Sequence, residues 1–227
     1  MRNGLPLIAL LLLASACRPS VGANFNTANH HPDVLDKRLW ELARDTSIKA
    51  WNVSDKQEKA NLALKGLSYS EECIMKEPET AECYYYRAIN TGIYYSAHVV
   101  GYQDGLKAMI KDCEKVIALN DKVDHGGAYR TLGKIYTDVP ETTIAKNGVI
   151  RDLPKAIEYL KKAIAIDSNY PENHIYLAEA LLEANKTSDA KISLSTAMTL
   201  TPRWKNHSDY SMWLKMNKEL GKKLIKE

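Results

Sequence analysis

The sequence predicts an all-α fold, a tandem helical solenoid of about four hairpins with flanking helices. Three observations carry that prediction. Gly and Pro are sparse, 11 and 8 in 227 residues, which disfavours a strand-and-turn architecture. Segments of similar pattern succeed one another, the clearest of them 34 residues long, from Pro171 to Trp204. Within each segment small residues return at the places where two helices must approach closely.

The segment 171–204 defines the frame. With Pro171 as position 1, Ala178, Ala190 and Ala197 fall at positions 8, 20 and 27. Leu177, Leu181 and Leu194 take the larger core positions. Asn185 to Ser188 reads as the turn between the two helices, and Pro202 ends the second helix because it lacks an N–H and clashes with the preceding turn. The segment 126–170 repeats the pattern with Tyr129, Leu132, Gly133 and Tyr136, then Ala156, Leu160 and Ala163. Thr137 to Leu153 is longer than a normal turn and carries Pro140, Asn147 and Gly148, so it reads as a loop. Asp152 and Pro154 start the next helix as N-cap and first-turn proline.

Two earlier segments are weaker. The segment 81–123 places Tyr84 and Ala88, then, after an insertion near Gly101 to Gly105, Met109, Cys113 and Val116. The segment 47–80 places Gly66, Ser70 and Cys73, with Pro78 at position 32. Val34 to Arg44 reads as a separate amphipathic helix ahead of the first segment. His207 to Ile225 reads as a Lys-rich capping helix after the last, since terminal helices cover the open end of such a stack. The helical domain is expected over 33–227.

The N-terminus reads as a targeting segment. Arg2 precedes an apolar run from Leu5 to Leu13, too short to span a bilayer. Ala14-Ser15-Ala16-Cys17 resembles the lipobox of bacterial lipoproteins, except that the family prefers Leu where Ala14 stands. Residues 1–16 are then a signal peptide, Cys17 the lipidated residue and 17–32 a polar tether. Ordinary cleavage after Ala16 without acylation is the alternative. The expected location is outside the cytoplasm, lipid-anchored to a bacterial membrane. The outer membrane, facing the periplasm, is favoured because no Asp follows Cys17. His30 and His31 lie in the tether, and a pair without further ligands makes a poor metal site.

The 34-residue frame resembles the tetratricopeptide repeat. Longer stretches resemble something more specific. Cys83-Tyr84-Tyr85-Tyr86-Arg87-Ala88, Gly101-Tyr102, Asp124-His125-Gly126-Gly127-Ala128-Tyr129-Arg130-Thr131-Leu132-Gly133-Lys134-Ile135-Tyr136 and Asp152-Leu153-Pro154-Lys155-Ala156 are similar to the T-component family of TRAP-transporter-associated lipoproteins (TatT-like). The resemblance covers most of residues 40 to 200. It implies a lipidated stack of degenerate tetratricopeptide hairpins, association with a tripartite ATP-independent periplasmic transporter and its solute-binding protein, a groove for apolar ligands, and self-association. The family usually carries an aromatic residue or Pro after the Gly-Gly pair, where this chain has Ala128.

The net charge of +3 is spread along the chain, which argues against a nucleic-acid partner. No H-E-x-x-H, G-x-S-x-G or phosphate-binding glycine loop occurs, so no enzyme activity, cofactor or metal is expected. Gly126-Gly127 reads as the tight turn between hairpins. Cys73 and Cys113 occupy small core positions. Three cysteines beyond Cys17 favour free thiols, with a Cys73–Cys83 bridge as the alternative.

The 13 tyrosines are the most informative surface signal, because Tyr carries an apolar ring and a polar tip. In repeats of this kind the first helix of each hairpin lines the concave side. That frame points to a ligand or partner groove of Tyr85, Tyr86, Ile89, Arg130, Lys134, Ile175, Tyr176 and Glu179. Arg130 and Lys134 would favour an apolar molecule with a carboxylate end. The competing readings are that the tyrosines pack the gap left by the insertion and that the two cations are merely solvated. The leading expectation for function is an accessory of a TRAP-type transporter that docks its solute-binding protein and holds an apolar or acidic ligand. The alternative is a scaffold that grips a peptide or helix during assembly of an outer-membrane or secretion complex.

Overall fold

A computed structural model describes residues 37–225. The signal peptide, Cys17 and the tether lie outside the described residues. Nine α-helices follow one another, α1 (Leu39–Asn52), α2 (Lys56–Lys76), α3 (Ala81–Ala97), α4 (Tyr102–Asn120), α5 (Gly127–Asp138), α6 (Leu153–Ile166), α7 (Pro171–Glu183), α8 (Thr187–Leu200) and α9 (Tyr210–Ile225), with no strand among the described residues. They pair as four hairpins, α1/α2 to α7/α8, and α9 packs on the last pair. None of these helices is long and apolar enough to cross a membrane.

The repeat frame explains the packing. Ala88, Ala178, Ala190 and Ala197 have no exposed surface, since each sits where helices cross. Gly133 on α5 lies against Leu160 on α6, and a methyl group there would stand 2.4 Å from the Leu160 Cγ. Apolar side chains of α3 to α5 form one core, around Tyr85, Met109, Val116, Leu132 and Ile135. Those of α6 to α9 form another, around Ile157, Leu160, Leu177, Leu181, Leu194 and Leu220.

Local chemistry sets the helix ends. Asp55 caps α2 by accepting from the Glu58 N–H at 2.8 Å. Asp152 caps α6 by accepting from the Lys155 N–H at 3.0 Å, as its position before Pro154 predicts. Between α4 and α5, Asp124, His125 and Gly126 all have positive φ, 49°, 58° and 80°. Three left-handed residues in a row turn the chain sharply, and Gly126 adopts such a φ without steric cost.

Three expectations need correction. The helix at 34–44 and the segment beginning at Ser47 are not separate, because α1 runs through both as the first helix of the first hairpin. Thr46 and Ser47 do not break it. Their hydroxyls donate to the carbonyls of Leu42 at 2.6 Å and Arg44 at 2.7 Å, so both fit inside a helix. The insertion near Gly101–Gly105 is shorter than expected. Gly101 turns the chain at φ 79°, and Gly105 already lies inside α4, under the ring of Tyr95. Finally, Cys73 and Cys83 form a disulfide between the last turn of α2 and the first turn of α3, leaving Cys113 as the buried free thiol among the described residues. Odd cysteine count was a poor guide, because the short connection already brings the two helix ends together.

Candidate functional site: the inner face of the stack

The first helices, α1, α3, α5 and α7, share one face of the stack. The structure places all eight predicted groove residues on this row of helices but divides them into two groups. From α5, Lys134 meets Tyr176 and Glu179 of α7, and Arg130 is reached by Tyr85 from α3, while Ile175 on α7 packs with Tyr170, Ala197 and Trp213. Tyr86 and Ile89 lie further toward α1.

Arg130 is buried, 4% exposed, and fully engaged. Its Nε pairs with Glu172 at 2.8 Å. Its other nitrogens reach the Asp124 carboxylate, the Asp124 carbonyl at 3.0 Å and the Asn173 side-chain oxygen at 3.1 Å. Its guanidinium also lies 4.8 Å from the centre of the Tyr170 ring. The Tyr85 hydroxyl donates to Asp124, and the Tyr176 hydroxyl donates to Glu172 at 3.2 Å. Burial works against the Arg130 charge, but Asp124, Tyr85 and Glu172 outweigh it and hold its pKa well above the ordinary arginine value. Burial pushes the Glu172 carboxyl up, with Arg130 opposing. Arg130 is therefore not a free clamp at the rim of a groove, because its donors are committed to this chain's own acids. Tyr85 and Ile175, 3% and 1% exposed, are core residues for the same reason of close stacking.

Lys134 continues the pattern one turn on. It pairs with Glu179 on α7 at 2.7 Å and with Asp138 at 2.9 Å, and lies 5.2 Å from the Tyr176 ring centre. Near the loop after α5, Arg151 approaches Glu183 at 3.7 Å. Cations of the third hairpin thus face acids of the fourth along the inner side. Glu172, Asn173 and Asp124 were missed as partners of Arg130. The signal was present in the concave positions themselves, which are basic on α5 and acidic on α7, but it appears only when the two helices are compared.

The second group is more open. Tyr86 stacks on Trp40 of α1 with ring centres 6.0 Å apart and planes 6° from parallel. The Arg38 and Arg44 guanidinium carbons lie 4.4 and 5.5 Å from the centre of the Trp40 ring. Both arginines keep a substantial exposed side chain, 64% and 38%. Ile89 is half-buried beside them, in contact with the apolar residues around Ile93. Trp40 escaped the sequence reading because α1 was divided at the wrong place.

Two clefts on these surfaces are small. A cleft of about 130 Å³ lies between α7 and α9, lined by Ile175, Glu179, Met216, Glu219, Leu220 and Lys223. A second, of about 230 Å³, lies between the start of α2 and the end of α3, lined by Lys56, Leu64, Tyr94 and His98 among others. Both fall below the roughly 300–1,000 Å³ of pockets that enclose a drug-sized ligand.

A model of the tetratricopeptide repeat matches residues 151–206, which is α6 to α8 and the turn that follows. The solved structure of a MamA RS-1 ArsTM double mutant is similar over 84% of this chain and 99% of that one, at 14% identity and a TM-score of 0.46. No curated protein matches. The chain is a helical-repeat protein of the tetratricopeptide type.

Proposed function

We propose that this chain is an exported, lipid-anchored scaffold that docks the solute-binding protein of a TRAP-type transport system on the inner face of its first two hairpins. The observation that carries the docking surface is the half-open stack of Arg38, Trp40, Arg44 and Tyr86. Trp, Tyr and Arg dominate the energetics of protein interfaces, because each offers large contact area with a directional polar group. The committed charges of α5 and α7 and the small cavities favour a protein partner over an enclosed small ligand. An apolar or carboxylate ligand remains part of the proposal only at the α7–α9 cleft. The Cys73–Cys83 bridge supports export, since such bridges persist in oxidising compartments. The link to a TRAP transporter rests on the sequence resemblance, and anchoring rests on Cys17.

The test is a photo-crosslinking residue at position 44 in the native cell, followed by mass spectrometry of the adduct. A solute-binding protein is expected, and the adduct should disappear in Trp40→Ala/Tyr86→Ala. Capture of a secretion or outer-membrane assembly component instead would establish the alternative scaffold and overturn the transport reading. Cys17→Ser should move the protein from the membrane to the soluble fraction.

A further inference from the structure

In a stack of hairpins all turns within hairpins fall on one edge, and all connections between hairpins on the other. The first three of the four within-hairpin turns of this molecule carry exposed apolar side chains at their tips. Trp51 closes α1 and is 59% exposed. Val99 and Val100 form the turn between α3 and α4, with Tyr102 beside them, and Val100 is 75% exposed. Ile144 and Ile150 stand on the loop between α5 and α6, where Ile144 is fully exposed.

These tips are held side by side. The Gln103 side chain donates to the Val149 carbonyl at 3.1 Å and accepts from the Val149 N–H at 2.7 Å, clasping the start of α4 to the α5–α6 loop. That loop is itself closed at its base, where the Arg151 N–H donates to the Pro140 carbonyl at 2.9 Å and the Asp152 N–H to the Tyr136 carbonyl at 3.0 Å. Between the first turn and the second lies the cleft lined by Lys56, Leu64, Tyr94 and His98. The second and third tips are therefore a fixed pair of protruding aliphatic points with Tyr102 beside them, rather than scattered single side chains, and Trp51 stands at the first turn across the cleft.

We infer that this edge is a membrane-docking surface that inserts Val99, Val100 and Ile144 into the interfacial layer of a phospholipid bilayer, with Trp51 and Tyr102 at headgroup level. The inference deepens the proposal that the chain is lipid-anchored and rests on it. Protruding tips suit a fluid surface that closes around them, whereas a folded partner would need matching cavities. Trp and Tyr favour the boundary between headgroups and hydrocarbon. The chain length also allows contact at this edge while Cys17 is anchored. About twenty residues separate Cys17 from α1, reaching at most roughly 70 Å when extended, whereas α1 is only about 21 Å long. Charges around the edge are mixed, with Lys49, Lys56 and Lys146 beside Asp55, Asp104 and Glu141, so docking depends on apolar contact and little on salt.

The test uses the full chain with Cys17→Ala, so that no acyl chain masks surface binding, floated with phosphatidylethanolamine/phosphatidylglycerol vesicles at millimolar lipid. A fluorophore on Val100→Cys or Ile144→Cys should be quenched by nitroxide-bearing lipid, and one on Met198→Cys, exposed on α8, should not. Val99→Asp/Val100→Asp/Ile144→Asp should lower the bound fraction at least tenfold with unchanged thermal unfolding. Raising salt from 0.1 to 0.5 M should change binding less than twofold. No flotation, equal quenching at Met198→Cys, a steep loss with salt, or loss of self-association in place of vesicle binding would each overturn the inference. If the native chain floats and Cys17→Ala does not, the anchor stands and the edge fails. If Cys17→Ala floats as well as the native chain, the edge stands and the anchor is dispensable.

Discussion

Lys134 on α5 donates to Glu179 on α7 across 2.7 Å, joining position nine of the third repeat to position nine of the fourth. Burial works against the Lys134 ammonium, but Asp138 and Glu179 outweigh it and raise its pKa above the usual 10.5. A raised folded-state value means that the stability is fully present below pH 10.5 and is lost as pH climbs through the folded-state value. Lys134→Met should cost about 1–2 kcal/mol at neutral pH, between the ranges for exposed and buried pairs. In urea unfolding, the gap between native and variant should stay level from pH 7 to 10 and close above that.

Arg130→Met should be more damaging. It leaves Asp124 and Glu172 in a buried site without their cation, a situation that costs roughly 3–5 kcal/mol. Adding Glu172→Gln should recover part of the loss, because a neutral amide is cheaper to bury than an unpaired carboxylate. Denaturant midpoints of the native, single and double variants check both statements. A double variant no more stable than the single one would mean that Glu172 is not held by Arg130.

The Cys73–Cys83 bridge closes a short loop, with a sequence separation of 10. Chain-entropy reasoning puts the loss on Cys83→Ala at about 2–3 kcal/mol. Alkylation of the unfolded, unreduced chain should modify Cys113 and leave Cys73 and Cys83 untouched until a reductant is added. Peptide mass spectrometry reads the difference directly.

Gly133→Ala tests the close crossing of α5 and α6. The new methyl group would meet Leu160 at 2.4 Å, an overpacking that typically costs about 1–3 kcal/mol. That cost exceeds the gain of about 1 kcal/mol in helix propensity. Leu160→Ala in the same chain should remove the clash, so the two changes combined should cost less than the sum of each alone.

The hairpins were legible because their determinants are local and periodic. Ala178, Ala190 and Ala197 announce close crossings by size alone, and Asp152-Leu153-Pro154 announces a helix start. The site was less legible for physical reasons that differ by residue. Arg130 sits at a position that faces the inner side, but whether it meets solvent depends on how tightly α7 approaches, which the period of one helix does not encode. Cys73 reads as a small core residue and the odd cysteine count favours free thiols, whereas the pairing with Cys83 depends on the path between α2 and α3. Trp40 was hidden by a helix boundary placed at Thr46 and Ser47, whose hydroxyls bond back within the helix instead of ending it.

The apolar interior of the stack is divided, one part serving α3 to α5 and the other α6 to α9. Lys134 and Glu179 cross that division on the inner side, half-buried. Charges 2.7 Å apart and half-buried lie well inside the roughly 8 Å screening length of physiological salt, so added electrolyte weakens this pair little. The same boundary is crossed by the tight packing of Gly133 on Leu160 and by the buried Arg130–Glu172 pair, so the two cores are locked to each other by steric fit as well as by charge. Small-angle scattering should therefore return the same particle length at low and at high salt, with unchanged helix content.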